Sequence, residues 1–341
     1  MPESSTKNHW KGPTVREIAK LAGVGSASVD RVLNDRPGVK EKTRAKVLTA
    51  LEKLEYDRGR NMQGLDIRLF CESGVAFNQQ MEAAVINANR TLPGVQVHGR
   101  LVTTSESDPV QFANQIEKDS KNADGVILIA REHPAINMAM RKLVSALMPV
   151  VCLTTDLPSS RRSAYVGNDQ YAAGSVAAQL IGQILPDRPN NILLVMSEPF
   201  RCQQEREMGF RRVLRNEFPH LRIEERVISN DDSETTHKQL LTYLESREHP
   251  AAIYNVAGAN RGVAMALEEK GAARKTIFVG HELTPYSRAL LSTGVMDYVI
   301  SHDFTVELST AVEWIRSKLN GHVGDPAHSQ ILVHTRYNCG L

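Results

Sequence analysis

Apolar residues recur at two different intervals along this chain, and the change of interval near residue 67 divides it. From Val15 the spacing is helical: Val15, Ile18, Ala19 and Ala22 share one face. Thr14 and Glu17, three residues apart, form a capping-box pair, and Pro13 discourages an earlier start. Gly23 ends this helix because glycine accepts the left-handed conformation at a helix C-terminus. A second helix is predicted over 26–34, with Val29, Val32 and Leu33 facing inward. Two short helices joined by a tight glycine turn make a helix-turn-helix. After the turn-rich segment 34–38, a third helix is predicted over 41–55. Its stripe of Val47, Leu48, Leu51 and Leu54 closes a three-helix core, and Lys42, Arg44, Lys46 and Lys53 lie off the stripe.

Beyond residue 67, short apolar runs alternate with longer amphipathic stretches. Strands are predicted over 67–71, 95–102, 124–129 and 150–153, with helices over 77–91, 109–119 and 134–145 between them. The series then restarts. Helices over 170–185, 203–217, 234–245 and 260–270 alternate with strands over 192–196, 223–228, 252–256 and 277–280, and a last strand covers 330–335. Strand-helix alternation implies parallel sheets with helices on both faces, and two series imply two lobes. Ligands of such sheets bind beyond the strand C-termini, here in the cleft between lobes. The fold class expected is a small all-α head joined to an α/β core of two doubly wound lobes.

Composition narrows the function. The 341 residues suit two or three domains, and 41% hydrophobic with 23% charged reads as globular. No apolar run reaches the length of a membrane span, and the polar N-terminus has no apolar signal region, so a cytoplasmic protein without membrane contact is expected. Cys71, Cys152, Cys202 and Cys339 are scattered without metal-ligand spacing, so neither a metal nor another cofactor is expected. The net charge of +2 is uneven: residues 11–65 hold 12 Lys and Arg against 7 Asp and Glu, and the remainder 29 against 32. A basic head on a faintly acidic body is the footprint of nucleic-acid binding.

The head carries a resemblance. Thr14-Val15, Ile18-Ala19, Ala22-Gly23-Val24, Ser28-Val29 and Arg31-Val32-Leu33-Asn34 closely resemble the head of the lactose-repressor (LacI/GalR) family, and Val39, Thr43-Arg44, Val47, Ala50, Leu54 and Tyr56 continue it. The resemblance implies that the second helix enters the major groove. Ser26, Ala27 and Arg31 then take the base-reading positions. Arg31 would engage a guanine or a phosphate, and Ala27 offers a methyl contact to thymine. Thr14, Ser28 and Asn34 would hold phosphates or cap helices. Gly25 and Asp30 stand where the family usually has Ser; Asp30 could accept from a cytosine amino group, orient Arg31 or point away from the DNA, and orienting Arg31 is the preferred expectation. The implied hinge covers 58–66. Leu65 takes the position of a leucine that wedges into the minor groove, Arg58 and Arg60 contact phosphates, and the segment orders on DNA. Arg58-Gly59 replaces the usual Pro-Asn. A paired wedge implies a homodimer on a palindromic operator.

The core resembles the same family's periplasmic sugar-binding-protein-like core, through Ala123-Asp124-Gly125-Val126-Ile127, Tyr165-Val166-Gly167-Asn168-Asp169, Arg206-Glu207 with Gly209-Phe210, Gly280 to Pro285 and Val299 to Asp303. The domains implied are a head over 13–57, the hinge over 58–66 and a ligand-binding and dimerisation core over 67–338. Carried over by position, Arg206 grips ligand hydroxyls or a carboxylate. Asp156, Glu282, His302, Asn255 and Asn260 contribute from the strand ends, and Ser73 and Phe77 from the first lobe. Glu282 stands where the family usually has Asp. The effector implied is a sugar, polyol or sugar acid, although an arginine among acids equally suits an amino acid or nucleobase. Two rival functions fail on the sequence. A solute-binding protein for import has no use for the head. An enzyme would need a nucleophile and base, and Cys202, the one arguable nucleophile, has no base assigned to it. Nothing here chooses between release from DNA by the effector and recruitment to it. With no heptad tail after the last strand, a dimer is expected rather than a tetramer.

Overall fold

The computed structural model describes residues 13–62, 64–197, 200–229, 231–322 and 324–340, and divides into two compact units at Leu65 and Asp66. In the first unit, α1 (Val15–Ala22), α2 (Ser26–Leu33) and α3 (Glu41–Met62) enclose Ile18, Ala19, Val29, Val32, Val47 and Ala50. The Thr14 side chain accepts from the Glu17 amide, while the Glu17 carboxylate accepts from the Thr14 amide at 2.7 Å, so two orphan donors are satisfied at once. Two expected core positions are corrected. Leu33 and Leu48 are 40% and 42% exposed. On α3 the inward stripe is Val47, Ala50, Leu51 and Leu54, and Leu48 sits about 100° around the helix from Val47.

The third helix also runs further than the 41–55 expected, without a break at residue 57 or 58. A proline there would remove an amide donor and clash with the preceding turn. Arg58-Gly59 does neither: Gly59 costs only about 1 kcal/mol relative to Ala and leaves the ladder of backbone bonds intact. The backbone of residues 58–62 is therefore the last turn of α3 rather than a separate hinge helix.

The second unit is the predicted pair of lobes. The first lobe holds a sheet in the order β2-β1-β3-β4-β5, formed by β1 (Leu65–Ser73), β2 (Val95–Thr103), β3 (Gly125–Ile129), β4 (Val150–Leu153) and β5 (Ala164–Val166). Helices α4 (Val75–Thr91), α5 (Pro109–Asp119) and α6 (Pro134–Ser145) connect its strands. Both α5 and α6 start with Pro at the first turn, after Asp108 and His133 side chains that cap the exposed amides. The second lobe holds β6 (Asn190–Met196), β7 (Leu221–Ile228), β8 (Ala252–Asn255), β9 (Ile277–His281), β10 (Tyr298–Ser301) and β11 (Leu332–His334) in the order β11-β10-β9-β8-β6-β7. Only β11, at the edge, pairs antiparallel. Helices α7 (Gln170–Ile184), α8 (Arg201–Glu217), α9 (Ser233–Ser246), α10 (Asn260–Glu269) and α11 (Pro285–Thr293) cover both faces.

Buried apolar side chains, aliphatic and aromatic, fill the layers between helices and sheet. In the first lobe Phe70, Phe112, Ile116, Leu128, Ile136 and Met140 form one such layer. In the second, one layer contains Leu193, Ile253, Leu267 and Phe278 and another contains Ile192, Leu194, Phe210 and Tyr254. The chain passes between lobes three times: after β5, after β10 and before β11. Between the last two, α12 (Phe304–Leu319) returns to pack on α4, β4 and β5 of the first lobe.

Candidate functional site

In each lobe the strand order reverses direction beside the first strand, between β1 and β3 and between β6 and β8. The connections leaving strand ends on opposite sides of such a switch point leave a crevice between them. A cavity of about 230 Å³ lies there, between the lobes. From the first lobe it is lined by Ser73, the last residue of β1, by Phe77 in the first turn of α4, and by Thr154 and Thr155, past β4. The second lobe supplies Phe200, Gln203 and Arg206 from α8 and its entry, the 256–261 turn past β8, and Glu282 past β9. Thr155 Oγ1 accepts from the Cys202 amide across the cleft at 3.3 Å. Four lining residues have left-handed backbones although none is glycine: Thr154 (φ 62°), Asp231 (54°), Ala259 (59°) and Glu282 (66°). Such conformations cost on the order of 1–3 kcal/mol each and persist where surrounding structure enforces them, commonly at ligand sites.

Arg206 is the buried cation of this cavity. It reaches the cleft because α7 and α8 touch backbone to backbone: a Cβ on Gly174 would lie 1.8 Å from the Arg206 carbonyl oxygen, and one on Gly209 2.0 Å from that of Tyr171. Three of its donors are committed, Nε to Gln170 Oε1 at 2.7 Å, Nη1 to the Val256 carbonyl at 3.1 Å and Nη2 to Glu282 Oε1 at 3.0 Å. Burial works against its charge, but Glu282, Cys202 and Tyr254 together more than offset it, so the guanidinium stays ionised.

Behind Glu282 a charged chain continues into the first lobe. His302 places Nε2 3.2 Å from Glu282 Oε2 and Nδ1 2.8 Å from Glu307 Oε2. Burial alone would lower the imidazole pKa. Glu307 and Glu282 reverse that and hold it at about 10. Burial would likewise raise the Glu282 carboxyl, but His302 and Arg206 hold it well below the usual carboxylate range. Next to it, burial pushes His281 well down, so its ring is neutral and 2.8 Å from the Tyr254 hydroxyl. Cys202 lines the same cavity, and burial raises its thiol, which opposes the thiolate needed for nucleophilic chemistry.

On the head, Ser26 and Ala27 open α2 and are exposed, as is Arg31 in its last turn; Ser28 is half-buried. The Arg31 side chain forms no hydrogen bond or ion pair with any described residue, and its carbonyl accepts from the Arg36 amide at 2.7 Å. Asp30 does not orient it. Consecutive helical residues point about 100° apart, and the Asp30 carboxylate instead accepts from Asn34 Nδ2 at 2.8 Å and Arg36 Nη1 at 3.2 Å. Asn34 Nδ2 also donates to the Asp30 carbonyl at 2.9 Å, closing the C-terminal end of α2, while Thr14 caps the start of α1.

Comparison with known proteins places both parts. Residues 14–58 match the profile described as bacterial regulatory proteins, lacI family, and residues 70–322 match the periplasmic binding protein domain. The chain belongs to the LacI family of bacterial regulatory proteins. It is 24% identical to the "Probable HTH-type transcriptional repressor ExuR" of Bacillus subtilis over 249 residues, which is 71% of this chain and 72% of that one. Its head is 42% identical over 52 residues to the HTH-type transcriptional regulator GalR of Salmonella typhimurium, 15% of either chain. Its fold is that of GanP, a glucose-galactose binding protein from Geobacillus stearothermophilus, with a TM-score of 0.72 at 21% identity, covering 82% of this chain and 99% of that one.

In this LacI-family core, Ser73, Phe77, Arg206, Asn260 and Glu282 meet in one cavity, and three expected ligand residues do not line it. Asp156 is turned away into a bidentate pair with Arg162 at 2.6 and 2.7 Å, a fork that satisfies both oxygens. Asn255 is buried and closes the β8–α10 turn through Gly258 and Asn260. His302 stands one residue behind the wall, as described. Thr154, Thr155 and Gln203 line the cavity without having been expected; Gln203 had a signal, one helical turn before Arg206 on the buried face of α8. Leu65, expected as a wedge, is the first residue of β1 and half-buried. Arg58 and Arg60 fall within α3, and their side chains lie outside the described residues. Among the described residues no group of three or more His, Cys, Asp or Glu is placed to hold a metal ion, and no helix is long and apolar enough to cross a membrane.

Proposed function

We propose that this protein is an effector-responsive transcription regulator, a repressor acting in the cytoplasm without catalytic activity, that binds a palindromic operator as a homodimer. One observation carries the reading. The same chain joins a helix-turn-helix with an unengaged, exposed arginine on its second helix to a core with a buried arginine-carboxylate pair opening into an interlobe cleft. Ser26, Ala27 and Arg31 read base edges; Ser28 and the α3 residues Arg58 and Arg60 contact phosphates; and Leu65 wedges into the minor groove once the first residue of β1 is released.

The effector is a sugar, polyol or sugar acid held by Arg206, Glu282 and Asn260 against Ser73 and Phe77. The cavity of about 230 Å³ is near the small end of ligand pockets, about 300–1,000 Å³, which suits a monosaccharide-sized molecule. The glucose-galactose binding protein of the same fold supports a hydroxyl-rich ligand. An effector that prefers one lobe closure shifts the population of that closure, and with it the affinity for DNA.

The test is selection of sheared genomic DNA by the purified protein at about physiological salt, where non-specific phosphate binding is suppressed. A palindromic motif is expected among the recovered fragments, with enrichment changed by the effector and the response lost in Arg206→Ala. Recovery without any motif, with and without candidate sugars, would sink the reading.

A further inference from the structure

The charges lining the cleft restrict its ligand more tightly than the fold does. Among the described residues, five lining side chains are charged: Arg206, Arg261, Asp231, Asp232 and Glu282. All five stand on the second lobe. The first-lobe wall, from Ser73 to Thr155, carries none. At the mouth, the exposed Arg261 lies 5.4 Å over the Tyr286 ring, and the exposed Asp232 caps α9 through the Thr235 amide at 2.6 Å. Asp231 Oδ1 accepts from the Gly258 amide at 2.8 Å. Of the described charged lining residues, only Arg206 and Glu282 are buried.

These two neutralise one another at 3.0 Å. The positive charge of His302 behind them is enclosed by Glu282 and Glu307, so it offers no surplus to the cleft. A carboxylate entering here would lose its water beside Glu282 and find no uncompensated cation to replace it. A hydroxyl meets neither obstacle. Of five guanidinium N–H groups, Arg206 has committed three, leaving two for a hydroxyl oxygen, whose own proton can be donated to a carboxylate oxygen.

We propose that the effector is an uncharged polyhydroxy compound, and that Glu282 excludes the corresponding sugar acid by holding the charge of Arg206. This rests on the reading that the cleft is the effector site. It makes Glu282 a specificity-determining residue: the side chain that grips the ligand also cancels the cation that an acid would need.

The test is calorimetric titration of the full chain with matched pairs at constant ionic strength: D-glucose and D-glucuronate, D-galactose and D-galacturonate, together with D-arabinose and myo-inositol. At least one neutral compound is expected to bind, and a bound hexose to exceed its carboxylate counterpart at least tenfold. Glu282→Gln, which keeps the shape and removes the charge, is expected to shrink or invert that ratio. A carboxylate that binds as tightly as its neutral partner overturns this inference and leaves the effector reading standing. An unchanged ratio in a folded Glu282→Gln protein overturns the role of Glu282. Binding of nothing in the set overturns both the inference and the sugar reading. Should Glu282→Gln fail to fold, the wild-type ratio decides alone.

Discussion

Arg31 is a cation whose side chain no described residue of the head engages. Its neighbour Asp30 is committed to Asn34 and Arg36, so among the described residues no carboxylate pairs with the guanidinium, which is exposed on the last turn of α2. A free planar fork of this kind pairs with O6 and N7 of guanine, which is worth about 1–3 kcal/mol of discrimination. Arg31→Ala is therefore expected to lower affinity for the operator by that amount and to relax preference at one base pair in each half-site. Binding assays on a set of single-base operator variants would check this; an equal loss on every DNA would assign Arg31 to a phosphate instead. At this scale the sequence is readable only where a residue's partner is close along the chain or forced by an element. The pairing of Thr14 with Glu17 follows from spacing alone. The pairing of Asp156 with Arg162 does not, because it depends on how the turn between them folds back.

Elements were more legible than their contacts. Proline at the first turn after a capping residue marks the starts of α5 and α6, and both begin where expected. The length of α3 follows from a residue that is missing: without a proline near 58, nothing stops the helix. What the pattern of polar and apolar residues could not display is the crossing of α7 over α8. It depends on Gly174 and Gly209, which look like ordinary weak points in a helix until their neighbours are known. Gly174→Ala would set a methyl group 1.8 Å from the Arg206 carbonyl oxygen, so α8 must move away from α7. Overpacking of this kind costs about 1–3 kcal/mol. The same shift would draw the Arg206 guanidinium out of register with Gln170, Val256 and Glu282. Gly174→Ala is thus expected to weaken effector binding at least tenfold at a temperature where circular dichroism shows the protein still folded. Unchanged effector affinity with only a lowered melting temperature would mean that the crossing stabilises the lobe without positioning Arg206.

At the scale of the whole core, one carboxylate lies where the connections between the two lobes meet. Glu307 lies in the first turn of α12, which packs on the first lobe, and three connections between lobes meet near it. His302 arrives from the second connection at 2.8 Å, Ser329 from the third donates its hydroxyl, and the Ser329 amide donates to the Gly167 carbonyl of the first at 3.0 Å. Because His302 also touches Glu282, the residue facing the ligand is linked electrostatically to the point where the lobes join. That link depends on pH in a defined direction. The His302 pKa is about 10 in the folded protein against 6.5 for a free imidazole, so its contribution is complete below about 6.5 and is lost as pH rises through 10. The Glu282 pKa is lowered on folding, so its contribution is complete above its ordinary value of 4.5 and is lost as pH falls. Between those limits the chain is fully charged. Above 6.5, core stability is expected to fall by up to about 1.4 kcal/mol per pH unit from this one proton. His302→Gln removes the titrating group. Its thermal midpoint is expected to lie below that of the wild type at pH 6 and to approach it by pH 10. A constant gap between the two proteins across that range would show that His302 is neutral in the fold, and that the lobes are joined by hydrogen bonds alone.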